Sequence, residues 1–412
     1  MEKQYTSTNF VDERNLQVEV YETFEDLSNL QPVWDNFVEK LDAPVYMSYD
    51  WCRIWWEIYG PGKDLRLYVF SGNGQIVAIV PIYIDCLTVG PLKLKIARLV
   101  GANIPPRIFD PPINKDWVNL VFETIALKLF GEDHCDVFSF GPVSSLYPPI
   151  SYIKKLNEGQ INIIGQMEER SADVHTFFVL PETFEGYLGS LSKNERKNRR
   201  KYELRYLKKS FAIHTDVLTS WEEIREEFKK FIEMHTAQWR SEGKPGHFEA
   251  WPKSKDFHFA LVNQLSQQGR VRLIRIRADD EAISYEYSFA FGHCYFWLLP
   301  ARKVGSSWEQ YSLGITSLVN MIRIAIEEGK RRIEAGLAHF DYKTRLGAKE
   351  YPATKIFFTA KDLGSRFRYF VFRSIFYVIN ILYFKIWYQR LQPHLPRRFQ
   401  RGIWSLWIRF SI

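Results

Sequence analysis

Residues 271–304 read VRLIRIRADDEAISYEYSFAFGHCYFWLLPARKV. Ile283, Tyr285, Tyr287, Phe289 and Phe291 alternate with Ser284, Glu286, Ser288 and Ala290. A period of two predicts a strand. The turn pairs Asp279-Asp280 and Gly292-His293 cut the run into three strands of a meander. The chain continues over 306–330 as SSWEQYSLGITSLVNMIRIAIEEGK, where Ile315, Leu318, Val319, Ile322 and Ile326 recur at helical spacing and Gly329 ends the helix. A fourth strand, RRIEAGL (331–337), follows, and then HFDYKTRLG (339–347). Three antiparallel strands therefore feed, through a loop closing on Ser312-Leu313-Gly314, into a helix. Its first amides and positive dipole end make a natural seat for a pyrophosphate.

The same order of elements occurs earlier. LRLYVFSGNGQIVAIVPIYIDC gives strand, glycine turn and strand, LKLKIARLVG a third strand, DWVNLVFETIALKLFG a helix and HCDVFSFGPV a strand. A shift of 206 places Leu65–Ile84 on Val271–Ala290, and a shift of 198 places Gly131 on Gly329 and Asp136 on Glu334. This is a weak internal repeat, and it predicts two similar domains. The copies differ before the helix, where the proline-rich IPPRIFDPPIN (104–114) replaces the glycine-bearing loop, so only the second copy is equipped to hold a phosphate. Upstream, SYDWCRIWWEIYG reads as a helix starting at Ser48 or Asp50.

With 412 residues, the chain is too long for one ordinary core, and 46% hydrophobic and 16% aromatic residues can fill two. The four cysteines, Cys52, Cys86, Cys135 and Cys294, are far apart without a CxxC pair, which argues against a zinc ribbon or a disulfide framework and for a reducing compartment. The polar, acid-bearing first 15 residues are expected to be disordered and carry no secretory signal. Charge is uneven. From Lys361 to Ile412 ten Lys/Arg face one acid, a net of +9, so the +7 total leaves −2 for residues 1–360. Inside the body, Lys193–Lys209 holds nine Lys/Arg against two Glu.

LSKNERKNRRKYELRYLKK, then MHTAQWRSEGKPGHF, then the meander and helix, and finally DYKTRLG resemble, in order and spacing, the acetyltransferase domain of the CelD/BcsL type. That family lies in the GNAT superfamily, is related to the FemAB peptidyltransferases and is associated with bacterial cellulose and exopolysaccharide genes. The likeness covers residues 175–360. It implies an α/β (α+β) fold of tandem GNAT-like domains, each a mixed, mostly antiparallel sheet flanked by helices. The expected bounds are 16–165 for a first domain without cofactor, 170–362 for the acyltransferase domain and 363–412 for a basic, helical, amphipathic tail. The resemblance also implies an acyl-CoA co-substrate with its pyrophosphate on Tyr311, Ser312, Leu313 and Gly314. The family's Tyr-Lys motif falls on Tyr342-Lys343 and its strand acid on Glu334. This chain has Glu334 and Ala338 where the family has Asp and Gly, and no proline before Gly314.

N-acyl transfer needs an uncharged amine, a polarised thioester carbonyl and an acid for the leaving thiolate. Glu286 takes the amine proton if it faces a cleft, and is an ordinary strand carboxylate if it faces solvent. Glu334 divides in the same way between catalysis and structure. Tyr342 is the candidate acid, and Lys343 the candidate for stabilising the tetrahedral intermediate, or a Lys on an exposed turn. Arg302 and Lys303 are placed to balance the charge of CoA, or are solvated surface residues. His339 and Asp341 are candidates to anchor the turn. No histidine pair has metal spacing within a supporting cluster, so no metal is expected.

The basic helix is either a solvated face, since Glu195 and Glu203 are interspersed, or a contact for an anionic substrate, a membrane surface or tRNA. In the tail, Arg366, Arg373 and Asn380 fall seven apart on an apolar, aromatic run, and Arg398, Arg401, Ser405 and Arg409 oppose Ile403, Trp404, Trp407 and Ile408. That pattern suits a helix lying in the plane of an anionic bilayer surface, with packing on the body or on a partner protein as the alternatives. The expected protein is a tandem-GNAT acyltransferase at the cytoplasmic face of a bacterial membrane. Its acceptor would be an amine, small or glycan- or lipid-linked, or a hydroxyl. A FemAB-like transferase using aminoacyl-tRNA and a non-catalytic membrane adaptor are the competing readings.

Overall fold

The structure is a computed structural model that describes residues 15–102, 107–156, 164–201, 207–391 and 394–396. The N-terminal segment expected to be disordered, up to residue 14, and the last expected helical face, 397–412, lie outside the described residues.

The strands are β1 (Leu16–Tyr21), β2 (Asp64–Gly72), β3 (Gln75–Val89), β4 (Leu92–Leu99), β5 (Val137–Ser144), β6 (Ile164–Val179), β7 (Ile213–Leu218), β8 (Val271–Ala278), β9 (Glu281–Phe291), β10 (Cys294–Arg302), β11 (Arg332–Leu337) and β12 (Lys349–Ala360). The helices that matter below are α1 (Tyr49–Tyr59), α2 (Val118–Ala126), α3 (Lys193–Lys201), α4 (Trp221–Ser241), α5 (Leu313–Glu327), α6 (Asp341–Arg345) and α7 (Leu363–Ile381). The chain forms two compact units, one from the residues up to Ala172 together with those from Pro352 into the tail, the other from Asp173–Tyr351.

In the first unit β1, β2, β3 and β4 pair antiparallel in turn, β5 runs parallel to β4 and β12 antiparallel to β5. In the second, β7, β8, β9 and β10 pair antiparallel, β11 runs parallel to β10, and the end of β6 runs antiparallel to β11. The two units thus repeat one plan, a meander, a crossover helix (α2 or α5) and a parallel strand. This is the mixed tandem architecture expected from the repeated order of elements.

The parallel pairing is short in both copies. β4 and β5 share Ile96↔Val137, Ala97↔Phe138 and Arg98↔Ser139, and β10 and β11 share Cys294↔Arg332, Tyr295↔Ile333 and Phe296↔Glu334. Irregularities at Trp297/Leu299 on β10 and Glu334/Leu337 on β11 follow at once. Beyond that point β10 stays registered with β9 alone.

Before the crossover helix the copies diverge, as the sequences predict. In the first unit the proline-rich loop is packed in: Phe109 and Ile113 are buried, Phe109 N donates to Pro142 O and Asn114 N to Val77 O. The Asn114 side chain accepts from Asp116 N at 3.1 Å, so the turn leading into α2 is capped from within. At α1, Ser48 occupies the N-cap position, but its hydroxyl donates to Val45 O instead of capping the helix.

Ala338, where the resembled family carries glycine, has φ +91°, and its amide and carbonyl are tied to Val174 O and the Thr176 hydroxyl, both at 3.0 Å. A side chain at that φ is strained. Ala338→Gly is therefore expected to raise unfolding free energy by about 1 kcal/mol in denaturant titration.

Candidate active site

The alternation in β9 decides where Glu286 points. Tyr285 and Tyr287 face α4, meeting Phe231 and Phe228 at ring-centroid distances of 6.1 and 5.0 Å. Ser284, Glu286 and Ser288 face the other way, under α5, where Ser288 Oγ lies 3.3 Å from Met321 Sδ. All three polar residues are fully buried. The solvent-facing reading of Glu286 does not hold, because α5 covers that face of the strand.

Trp297 Nε1 donates to Glu286 Oε2 at 2.7 Å. Glu286 Oε1, Ser284 Oγ and the Ser317 Oγ of α5 are buried polar atoms with no hydrogen-bond partner among the described residues. Three such atoms on facing elements mark an internal polar recess, since buried polar groups are nearly always paired. Burial pushes the Glu286 carboxyl up to about 8, against the pull of the Trp297 N–H and the Arg302 charge. Near neutral pH it can therefore change protonation state in either direction.

The start of α5 lies close by. Ser312, its N-cap, is left-handed at φ 50°, ψ 46°. Tyr311 N and Ser312 N donate to Trp308 O and Glu309 O at 3.1 and 3.2 Å, and the Tyr311 ring is buried against Phe211 and Trp308. Of the four residues expected to hold a pyrophosphate, Leu313 and Gly314 begin the helix with outward amides, whereas Tyr311 and Ser312 shape the loop. Above this helix start stands Arg302, whose Nη1 would be 3.3 Å from a β-carbon at Gly314. Glu242 answers that guanidinium only loosely, at 3.7 Å. A cation at the positive end of a helix is unfavourable by itself, and an anion between the two satisfies both. Lys303, just past the end of β10, pairs with Glu281 and lies 5.6 Å from the Trp308 ring centroid.

α6 completes the neighbourhood. Lys343 is buried, its Nζ donates to Ala335 O at 2.8 Å and lies 5.2 Å from the Trp297 ring centroid. Ala335 is the first residue of β11 past the pairing with β10, so Lys343 reaches a carbonyl exposed by the parting of the strands. Burial and then the charge of Glu286 raise the Tyr342 phenol, with Arg302 opposing, so Tyr342 stays protonated and within electrostatic reach of both. His339 joins Asp341 and Glu350 at 2.9 Å each, which fixes the turn before α6, and both partners raise its pKa.

Glu334 is not part of this group. Ile333 and Ala335 pack into the core that contains α5, while Glu334 between them points to the opposite face and pairs with His175 and Arg332. Despite burial, His175 and Arg332 hold its carboxyl below the usual range. Its counterpart in the first unit, Asp136, likewise serves as an anchor, for Arg368 and Ser365. The acid expected at Glu334 is a structural ion pair. Sequence reasoning missed Trp297, Ser284 and Ser317. Ser284 shares the face of Glu286 by period, Trp297 faces it through its pairing with Ser288, and Ser317 follows Gly314 by one helical turn. No group of three or more His, Cys, Asp or Glu among the described residues is placed to hold a metal.

Comparison with known families gives residues 193–344 as a match to the acetyltransferase (GNAT) domain. Over that span the chain is similar to GNAT acetyltransferase domains. The match takes in α3, the meander, the α5 start and Lys343, and the protein is accordingly an acyltransferase. No curated protein matches the chain by sequence. Among solved structures, the chain is similar to FemX, with TM-score 0.58 and 10% identity over 82% of this chain and 96% of that one. It also resembles L-PGS from Bacillus licheniformis (TM-score 0.47, 10% identity, 79% and 90% covered) and a tandem GNAT protein from the clavulanic acid biosynthesis pathway (0.42, 10%, 84% and 99%). At such identities only the fold is shared, and the GNAT domain of this chain must be read from its own residues.

Proposed function

We propose that the GNAT domain transfers an acyl group from acyl-CoA to an amine, with Glu286 as proton acceptor. The observation that carries this reading is the fully buried Glu286, one oxygen open, beside a helix start that already bears Arg302. Leu313 N, Gly314 N and Arg302 would hold the pyrophosphate. The amine nitrogen attacks the thioester carbonyl, its proton passes to Glu286 directly or through water, and the carbon–sulfur bond breaks. Lys343, buried with its Nζ on Ala335 O, places a positive charge that stabilises the negative oxygen. Tyr342 supplies the proton to the departing thiolate. A hydroxyl acceptor follows the same course. The acceptor class is a small, glycan-linked or lipid-linked amine of envelope or exopolysaccharide synthesis, handled at the cytoplasmic face of the membrane. Support for that setting is the resemblance to the CelD/BcsL type.

Lys343→Met keeps the buried stem and removes the charge. Expected is a loss of about 10²-fold in kcat with acyl-CoA affinity changed only severalfold. Equal losses in affinity and kcat would place Lys343 in binding instead. A second reading, transfer from aminoacyl-tRNA, has the basic helix α3 in its favour. It requires a salt-dependent tRNA complex that charge reversal at Arg196 and Lys197 removes.

A further inference from the structure

The tail helix α7 has two opposite faces. Ser365, Tyr369 and Phe372 are buried, the two aromatics in a core with Leu87, Leu94, Ile96, Val137 and Phe357. Around that stripe Arg368 Nε donates to Asp136 at 2.9 Å, and Arg373 and the Tyr369 hydroxyl reach Glu168 at 3.0 Å each. Half a turn away on the same helix, Leu363, Phe367, Phe370 and Tyr377 are 80%, 60%, 64% and 65% exposed, followed by Val378 and Leu382. At 100° per residue these positions lie across the helix from 365, 369 and 372. Arg366 and Arg373 flank the boundary between the faces.

A row of exposed aromatic and aliphatic side chains this long needs an occupant. The charge pattern says which. From Leu363 to Ile412 there is no Asp or Glu, against nine Lys/Arg, in a chain whose residues up to 360 sum to −2. Apolar side chains edged by arginines, without a carboxylate in 50 residues, match the interface of an anionic bilayer.

By length and composition Leu363–Trp387 is apolar enough to cross a membrane. Its anchoring argues otherwise. The part up to Arg373 is held on the first unit by the contacts above, and between Arg373 and Lys385 only residues 374–384 remain. Those residues span about 16 Å as a helix, against a hydrocarbon core of about 30 Å. We infer that α7 lies in the plane of an anionic membrane surface, its inner face bolted to the first unit and its outer face, Leu363, Phe367, Phe370, Tyr377 and Val378, sunk among the lipids.

The test is sedimentation of the full-length protein with vesicles of phosphatidylcholine alone and of phosphatidylcholine mixed with phosphatidylglycerol. Expected is about tenfold or stronger partitioning onto the anionic vesicles, weakened by salt. The double substitution Phe367→Asp, Phe370→Asp should reduce it by about tenfold or more. Both residues are exposed, so the melting temperature of the variant should match wild type. Alkaline carbonate should release the protein from cell membranes. Retention after that wash means a spanning helix and overturns the inference. So does the absence of vesicle binding, with or without a dimer that the double variant abolishes, and so does unchanged vesicle binding by the variant.

Discussion

Glu286→Gln should cut kcat by about 10²–10⁴-fold, the usual contribution of a positioned base, and should at the same time stabilise the protein in alkaline solution. Both effects come from one fact, the burial that pushes the carboxyl up to about 8. In the unfolded chain a glutamate releases its proton near 4.3. Between the two values the folded state holds a proton that the unfolded state has lost, so this group's contribution is complete below the lower value and declines as pH rises to the upper one. The full swing amounts to about 5 kcal/mol. Glutamine does not titrate. The stability difference between variant and wild type should therefore widen in favour of the variant from weakly acid pH up to about 8 and then level off. In the wild type, kcat/KM should climb with pH along a limb near that value, since the ionised form takes the proton. Parallel stability curves for the two proteins would mean that Glu286 is not held protonated by burial, and a rate unaffected by the substitution would remove it from the chemistry.

Gly314→Asp is expected to weaken acyl-CoA binding by about 100-fold or more, through charge at the proposed pyrophosphate seat. Gly314 does not have a positive φ, so an L-residue meets no backbone strain there. What it meets is Arg302, 3.3 Å from the new β-carbon. A carboxylate at this position would pair with Arg302 and cap the helix dipole itself, taking the place proposed for phosphate oxygens. An acid in the first turn of a helix is, if anything, mildly stabilising, so the melting temperature should hold or rise. Gly314→Ala brings the crowding without the charge and should cost far less affinity. Equal losses for Ala and Asp would make the effect steric and would leave the electrostatic account unsupported.

The architecture was legible because its signals are local. Alternation in β9, the turn pairs around it and the 3.6-residue spacing of α5 each follow from side-chain periodicity, and their recurrence in β2, β3, β4, α2 and β5 gave the tandem plan. The site was legible only in part. Periodicity separates Ser284, Glu286 and Ser288 from Tyr285 and Tyr287, but it does not say that a helix covers the polar side, and that covering gives Glu286 its properties. Glu334 looked equivalent to Glu286 as a strand acid. Its neighbours His175 and Arg332 come from a different strand and from its own, and only the β6–β11 pairing brings His175 to it. Trp297 carried no motif, and its role rests on a cross-strand relation to Ser288 that fixes which way the indole N–H points.

The central claim, that the GNAT domain binds acyl-CoA at the start of α5, is tested most directly by calorimetric titration of the wild-type protein with acetyl-CoA and then with longer acyl-CoAs. The account predicts saturable binding with one site per chain for at least one member of the series. No heat of binding across the whole series would contradict it and would turn attention to aminoacyl-tRNA as the donor.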